Sequence, residues 1–173
     1  MPFLWAAYVG NFPTGQRGLS VFFGAFEKQL DAKRRIVVPQ EFRSAVAGPF
    51  DGIVCFPSIS ADCLEGGGQA ALARYRGLIG ELAFGDPLRE ALETTVIGGL
   101  RQLGFDTAGR ITLPEEICEQ FGLNDWVAVV GLDERFQIWN RDAFRAHREA
   151  QRLVAREGLA ALRGAQRSVG AAA

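Results

Sequence analysis

The stretch "LDAKRRIVVPQEF", residues 30–42, returns seventy-five positions later as "FDTAGRITLPEEI", residues 105–117. Column by column, Asp31 meets Asp106, Arg35 meets Arg110, Ile36 meets Ile111, Pro39 meets Pro114 and Glu41 meets Glu116. A match this dense is an internal repeat, so the chain reads as two related halves.

Around the first copy, "VFFGAFEKQLDAKRRIVVP" keeps its apolar residues at 22, 26, 30, 36 and 38, on either side of a polar centre. Period-two alternation of this kind predicts two half-buried strands joined by a turn, with Asp31 to Arg35 as the turn. "LGFDTAGRITLP" repeats the arrangement: Asp106 opens the connection, where an Asp can accept backbone N–H bonds, and Gly109 stands near its close, where a Gly can take a positive φ. A β-hairpin or a bulged loop is expected in both places.

After each proline the pattern changes. "PQEFRSAVAG" and "PEEICEQFG" put Pro at a first helical position, acids in the first turn and Gly at the end, the start and stop signals of short helices. "GIVCF" with "DCLE", and "WVAVVG" with "FQIWN" across a polar "LDER" turn, read as further strand pairs. Each half is thus strand, turn, strand, short helix, strand, turn, strand. A unit of about 40 residues buries too little surface to stand alone, and two copies in one chain complete each other.

Between the halves, "QAALARYRGLIGELAF" and "PLREALETTVIGGL" have helical spacing, with a break at Gly85, Asp86 and Pro87. From Asn140, an expected N-cap, an Arg-rich helix begins with Phe144, Leu153, Val154, Leu159 and Leu162 apolar. Gly158 and Gly164 weaken its end, and "SVGAAA" reads as a loose tail. The domain reading is a flexible extension over 1–20, a first half over 21–66, a helical connector over 67–98, a second half over 99–142, and a C-terminal helix and tail over 143–173. The "GGG" of Gly66 to Gly68 is expected to loosen the join to the connector. Folded sequence is expected to begin near Val21, with residues 1–20 dispensable and Val21 nearer the natural start.

Composition bounds the function. The chain has 173 residues, 48% hydrophobic and 23% charged, and a formal net charge of −1, so no global excess of cations advertises nucleic acid. Charge is unevenly spread, however: residues 51–125 carry five Lys/Arg against twelve Asp/Glu, and residues 141–173 carry seven against three. Cys55, Cys63 and Cys118 form no CxxC pair, which points away from a zinc ribbon or a disulfide framework and toward a reducing, cytoplasmic compartment. The apolar opening "MPFLWAAYVGNF" lacks a basic n-region and a cleavage site, and no stretch reaches the roughly 18 apolar residues of a membrane span. No P-loop, G-x-S-x-G or H-E-x-x-H motif occurs, and the single His147 leaves no metal cluster, so an enzyme is not expected and no cofactor or small-molecule substrate is implied.

The doubled Asp-x-x-x-Arg turn, each copy followed by apolar-x-apolar-Pro and a short helix, with "CLE" late in the first half and "FQIW" late in the second, closely resembles the MraZ family. The resemblance covers about residues 21–145. It implies a β-rich α+β fold in which two tandem AbrB-like swapped-hairpin halves form a pseudo-symmetric double-split β-barrel. It also implies a cytoplasmic, nucleoid-associated transcriptional regulator that assembles as a ring-like homo-oligomer. Such a protein binds repeated promoter boxes on double-stranded DNA and represses the division and cell-wall gene cluster.

Carried onto this chain, the DNA-binding residues are Lys33, Arg34, Arg35 and Arg110, and the residues that organise the loops are Asp31, Asp106 and Gly109. Arg34 departs from the family pattern, which has Gly before the Arg, so the first turn either carries a non-Gly residue at positive φ or adopts another form. The motif chemistry suits the inherited role, because an Arg fork fits a phosphate or guanine O6 and N7, and a neighbouring Asp orients it. A ring repeats weak contacts and gains through effective concentration. The first turn is expected to dominate affinity, since Arg110 has no second cation in its loop.

Other readings remain open. Each Asp/Arg pair also reads as an internal ion pair that merely shapes its turn. The C-terminal arginines read as a solvated face or an oligomer contact, with auxiliary DNA or lipid binding as the alternative. His147 reads as a surface residue, the cysteines as small core residues, and Trp126, Trp139 and Phe136 as core or interface. An antitoxin-type protein-interaction module, with structural hairpins, is the second function class, and a membrane-surface scaffold built on the basic helix ranks last.

Overall fold

A computed structural model describes residues 22–46, 48 and 50–170, with side chains described through residue 163. The first half contributes β1 (Ala25–Gln29), β2 (Arg35–Val37), α1 (Gln40–Ala45), β3 (Gly52–Pro57) and β4 (Leu64–Gly67). The connector contributes α2 (Gln69–Gly80), α3 (Pro87–Leu92) and a π-helical turn over Glu93–Ile97. The second half repeats the first as β5 (Arg101–Gly104), β6 (Arg110–Thr112), α4 (Glu115–Gln120), β7 (Trp126–Leu132) and β8 (Arg135–Asn140), and α5 (Arg141–Gly170) follows. The expected order of elements is therefore present in both halves, in a β-rich α+β fold. The extension over 1–20, the start near Val21 and Ala171–Ala173 lie outside the described residues.

Strand pairing differs from a pair of simple hairpins. The strands that flank each turn pair not with each other but with strands elsewhere in the fold. β1 pairs antiparallel with β7 (Phe26 opposite Val129), β5 pairs antiparallel with β3 (Ile53 opposite Leu103), and β2 pairs with β6 (Ile36 opposite Ile111). The reason is steric and hydrophobic: the turn splays its two arms, and each arm finds an apolar neighbour in the other half rather than in its own companion. The result is one open six-stranded sheet, ordered β1-β7-β8-β4-β3-β5, and a separate two-stranded ribbon of β2 and β6. Among the described residues the sheet does not close on itself.

The even-numbered apolar residues do point inward. Phe22, Ile36 and Val38 are buried, and Phe26 and Leu30 pack partly buried against the same cluster. With Phe42, Phe136, Ile111, Leu113 and Ile138 they form a core shared by both halves. Phe22 meets Phe42 and Phe136 edge-on, with ring centroids 5.1 Å apart in each case, the arrangement that the ring quadrupoles favour. Each proline sits one residue earlier than expected: Pro39 and Pro114 are extended, with ψ of 140° and 144°, and precede the first helical residue.

A second apolar cluster of Phe56, Ile79 and Val96 docks the connector on the sheet. Beside it lies a buried carboxylate. Glu65, only 2% exposed, accepts hydrogen bonds from Tyr75 Oη at 2.5 Å and Ser58 Oγ at 2.9 Å, with Arg135 Nε at 3.6 Å. These partners compensate a charge that burial would otherwise make costly. Burial and the adjacent Glu65 carboxylate push the Tyr75 phenol above its ordinary value.

Three local expectations are corrected here. Gly66 and Gly67 are not a loose join: they continue β4 beside β3 and β8, and a Cβ on Gly66 would fall 2.7 Å from the Phe136 ring. α5 runs unbroken from Arg141 through Gly158 to Gly170, so Gly158 does not end it and the stretch expected to be a loose tail is helical as far as Gly170. His147 is not a plain surface residue, because its ring lies 4.5 Å from that of Trp139, in the cluster where Phe144 anchors α5 to the sheet. Asn140 caps that helix as expected, its Oδ1 accepting from the N–H groups of Asp142 and Ala143 at 2.9 and 3.1 Å.

Candidate nucleic-acid interface

Each turn is built by one carboxylate. Asp31 Oδ1 accepts the N–H groups of Lys33 and Arg35, both at 2.9 Å, while Oδ2 accepts Arg35 Nε at 2.8 Å and lies 2.7 Å from Nη2. Asp106 repeats this: Oδ1 accepts the N–H groups of Ala108 and Arg110, both at 2.9 Å, and Oδ2 accepts Arg110 Nε at 2.7 Å. The backbone closes both loops in the same way, with Arg34 N–H donating to the Asp31 carbonyl at 2.8 Å and Gly109 N–H to the Asp106 carbonyl at 2.9 Å.

The bonds have an electrostatic signature. The Arg35 guanidinium and backbone N–H hold Asp31 down at about 2, and Asp31 in turn raises Arg35. Asp106 is also lowered, first by the Arg110 backbone N–H and then by its guanidinium. Both carboxylates thus remain ionised and clamp their arginines in one orientation.

The turns differ at the residue before the arginine. Gly109 takes φ of +71°, and Arg34 takes +58°, so the first turn keeps the conformation of the second despite carrying a side chain there. Arg34 leaves the turn toward α4, with Nη1 3.9 Å from Glu115 and Nε buried without a hydrogen-bond partner among the described residues. Lys33, Arg34 and Arg35 share one turn but do not share one direction.

The β2–β6 ribbon brings the two motif arginines to one surface. Arg35 lies opposite Thr112 and Val37 opposite Arg110, so these four side chains occupy one face, while Ile36 and Ile111 fill the other and are fully buried. Arg35 and Arg110 are 28% and 31% exposed at the side chain, and both line an open groove with Lys28, Ala32 and Val37. Lys28 was not legible as a member of this group. Its only signal is position, three residues before Asp31 on β1.

Other chemistry finds little support. Burial pushes the Cys55 and Cys63 thiols up to about 12, which makes them poor nucleophiles and poor metal ligands. All three cysteines are buried and unpaired, as expected of small core residues. Among the described residues, no cluster of three or more metal-binding side chains occurs, and no helix is long and apolar enough to cross a membrane.

Residues 96–161 match the family model described as "MraZ protein, putative antitoxin-like". The chain is 69% identical over 148 residues to the transcriptional regulator MraZ of Phenylobacterium zucineum (strain HLK1), covering 86% of this chain and 92% of that protein. It is 68% identical over 148 residues to the protein of that name from Caulobacter vibrioides (strain NA1000 / CB15N), covering 86% and 95%. It is 31% identical over 148 residues to the one from Rickettsia rickettsii (strain Sheila Smith), covering 85% and 99%.

Proposed function

Because the chain belongs to the MraZ family of transcriptional regulators, we propose that it acts by binding double-stranded DNA through the exposed face of the β2–β6 ribbon and its two turns. The observation that carries this reading is the clamped pair Arg35 and Arg110, held by matching carboxylate geometry on one solvent-facing ribbon. A two-stranded ribbon fits the major groove, and an arginine pre-oriented by a carboxylate loses little freedom on meeting a guanine edge or a phosphate. In this role Lys33, Arg34, Arg35 and Arg110 contact DNA, and Asp31, Asp106 and Gly109 hold the loops.

A single ribbon offers few contacts, so tight binding calls for repetition. We propose a ring-like homo-oligomer that engages repeated promoter boxes and represses the division and cell-wall gene cluster, with the protein cytoplasmic and associated with the nucleoid. The outer edges of β1 and β5, unpaired among the described residues, and the exposed Leu153, Val154, Leu159 and Leu162 of α5 are available for such assembly.

The test is anisotropy binding to a duplex with tandem G-rich boxes against a shuffled control, across a salt series, for wild type, Arg35→Ala and Arg110→Ala. Selective binding with a steep salt dependence, lost in both variants, is expected. Weak binding that ignores sequence and substitution leaves the turns as architecture and favours a protein-interaction module, the antitoxin-type reading.

A further inference from the structure

The two turns exchange places. Val38 N–H donates to the Gly109 carbonyl at 3.1 Å, and Leu113 N–H donates to the Arg34 carbonyl at 2.8 Å. Each turn is thereby docked on the strand-to-helix junction of the other half: residues 31–35 against α4, residues 106–110 against α1.

A cation stands at both junctions but comes from opposite sides. At the first it comes from the turn, where Arg34 faces Glu115 and its field partly offsets the burial that raises the Cys118 thiol. At the second the turn has only Gly109, and the cation comes from the helix. The Arg43 guanidinium lies over Gly109, so that a Cβ there would sit 2.5 Å from Cζ and 2.8 Å from Nε.

In the repeat, Arg34 is the counterpart of Gly109 and Arg43 is the counterpart of Cys118. The approaches of Arg34 to Cys118 and of Arg43 to Gly109 are therefore one relationship, with its arginine moved across. Nε of Arg34 and Nε of Arg43 are both buried without a hydrogen-bond partner, so each guanidinium has donor capacity unspent among the described residues. Arg43 borders an open groove of about 320 Å³ together with Asp51, Asp106, Thr107 and Gly109. Of its two carboxylates, Asp106 is committed to Arg110.

We propose that Arg43 is a phosphate-contacting residue of the second turn, supplying there the cation that Arg34 supplies in the first. The inference rests on the DNA-binding reading of the turns. It also alters the balance between them: Arg110 is no longer the lone cation of its loop, and the first turn leads by Lys33 rather than by a wide margin. Nε itself is sealed from solvent, so a phosphate oxygen would meet Arg43 where its side chain borders the groove and form a charge-assisted bond there.

The experiment uses the full chain and a tandem-box duplex. Arginine modification by phenylglyoxal, read by mass spectrometry with and without the duplex, is combined with anisotropy for Arg43→Gln and Arg43→Lys. The duplex is expected to protect Arg43 together with Arg35 and Arg110. Arg43→Gln is expected to weaken binding about tenfold and to flatten the slope of log affinity against log salt by roughly 0.9, the value of one neutralised phosphate, while Arg43→Lys keeps the slope.

If Arg35 and Arg110 are protected but Arg43 reacts equally with and without DNA, the inference is overturned and the DNA reading stands. If no arginine is protected and wild type does not bind, both fall. Should Arg43→Gln fail to fold, the modification pattern of the unaltered protein decides the question.

Discussion

Ile36 lies directly opposite Ile111 in the β2–β6 ribbon, and both side chains are fully buried. They are the same residue of the repeat, so the pair marks the axis about which the halves are related. Cutting either back to alanine removes buried methyl groups at a place where neither half can relax independently. Ile36→Ala and Ile111→Ala are each expected to destabilise the fold by about 2–4 kcal/mol. Their double variant should depart from the sum by about 0.5 kcal/mol or more, because the residues are paired neighbours. Urea unfolding of the four proteins checks this, and strict additivity would show that the halves are not coupled through the ribbon.

Arg34→Gly separates stability from binding. An L-residue in the left-handed region costs roughly 1–2 kcal/mol, and Arg34 sits at φ +58° with a buried, unpartnered Nε. Substitution by glycine is expected to raise the unfolding midpoint while lowering DNA affinity. Denaturation and anisotropy on the same preparation read both. A variant that loses stability would mean that the contact with Glu115 and the packing on α4 outweigh the backbone strain.

Acid should loosen the turns in a defined window. Asp31 titrates near 3.8 when free of the fold and is held at about 2 within it, chiefly by its bond from Arg35. A carboxylate depressed in this way stabilises the native state above about pH 4, and its contribution disappears as pH falls toward 2. Asp31→Asn is expected to lower the melting temperature at neutral pH and to narrow its gap from wild type below pH 4. Parallel melting curves from pH 7 to pH 2 are the measurement, and a constant gap would refute the assignment.

Gly66→Ala tests how tightly β4 is packed. The added Cβ meets the Phe136 ring at 2.7 Å, and that ring is wedged against Phe22 and Phe42 at the centre of the core. A loss of about 1–3 kcal/mol is expected. Gly77→Ala, in α2 with open space around it, should instead stabilise by a fraction of about 1 kcal/mol. Thermal melts of both variants check the contrast.

The order of elements was legible because its signals are local. Alternation at residues 22 to 38, Pro39 and Pro114 ahead of short helices, and Asn140 before α5 each act within a few residues. Pairing was not legible, since Phe26 and Ile36 show the same inward alternation whether β1 joins β2 or β7. The clamp of Asp31 on Arg35 falls within one turn and could be read. The approach of Arg43 to Gly109 spans 66 positions, leaves no periodic trace, and emerged only from the docking of each turn on the opposite helix. Local composition also misled at Gly66, where three glycines suggested slack and the structure has a strand pressed under Phe136.

The exchange of strands has a consequence in time. β1 leaves the ribosome well before its partner, for Phe26 pairs with Val129, 103 residues later. At about 5–20 residues per second, the first strand waits on the order of 5–20 seconds for the chain that completes it. Throughout that interval its hydrogen-bonding edge is open, which exposes β1 of the newborn protein to chaperones and to neighbouring nascent chains.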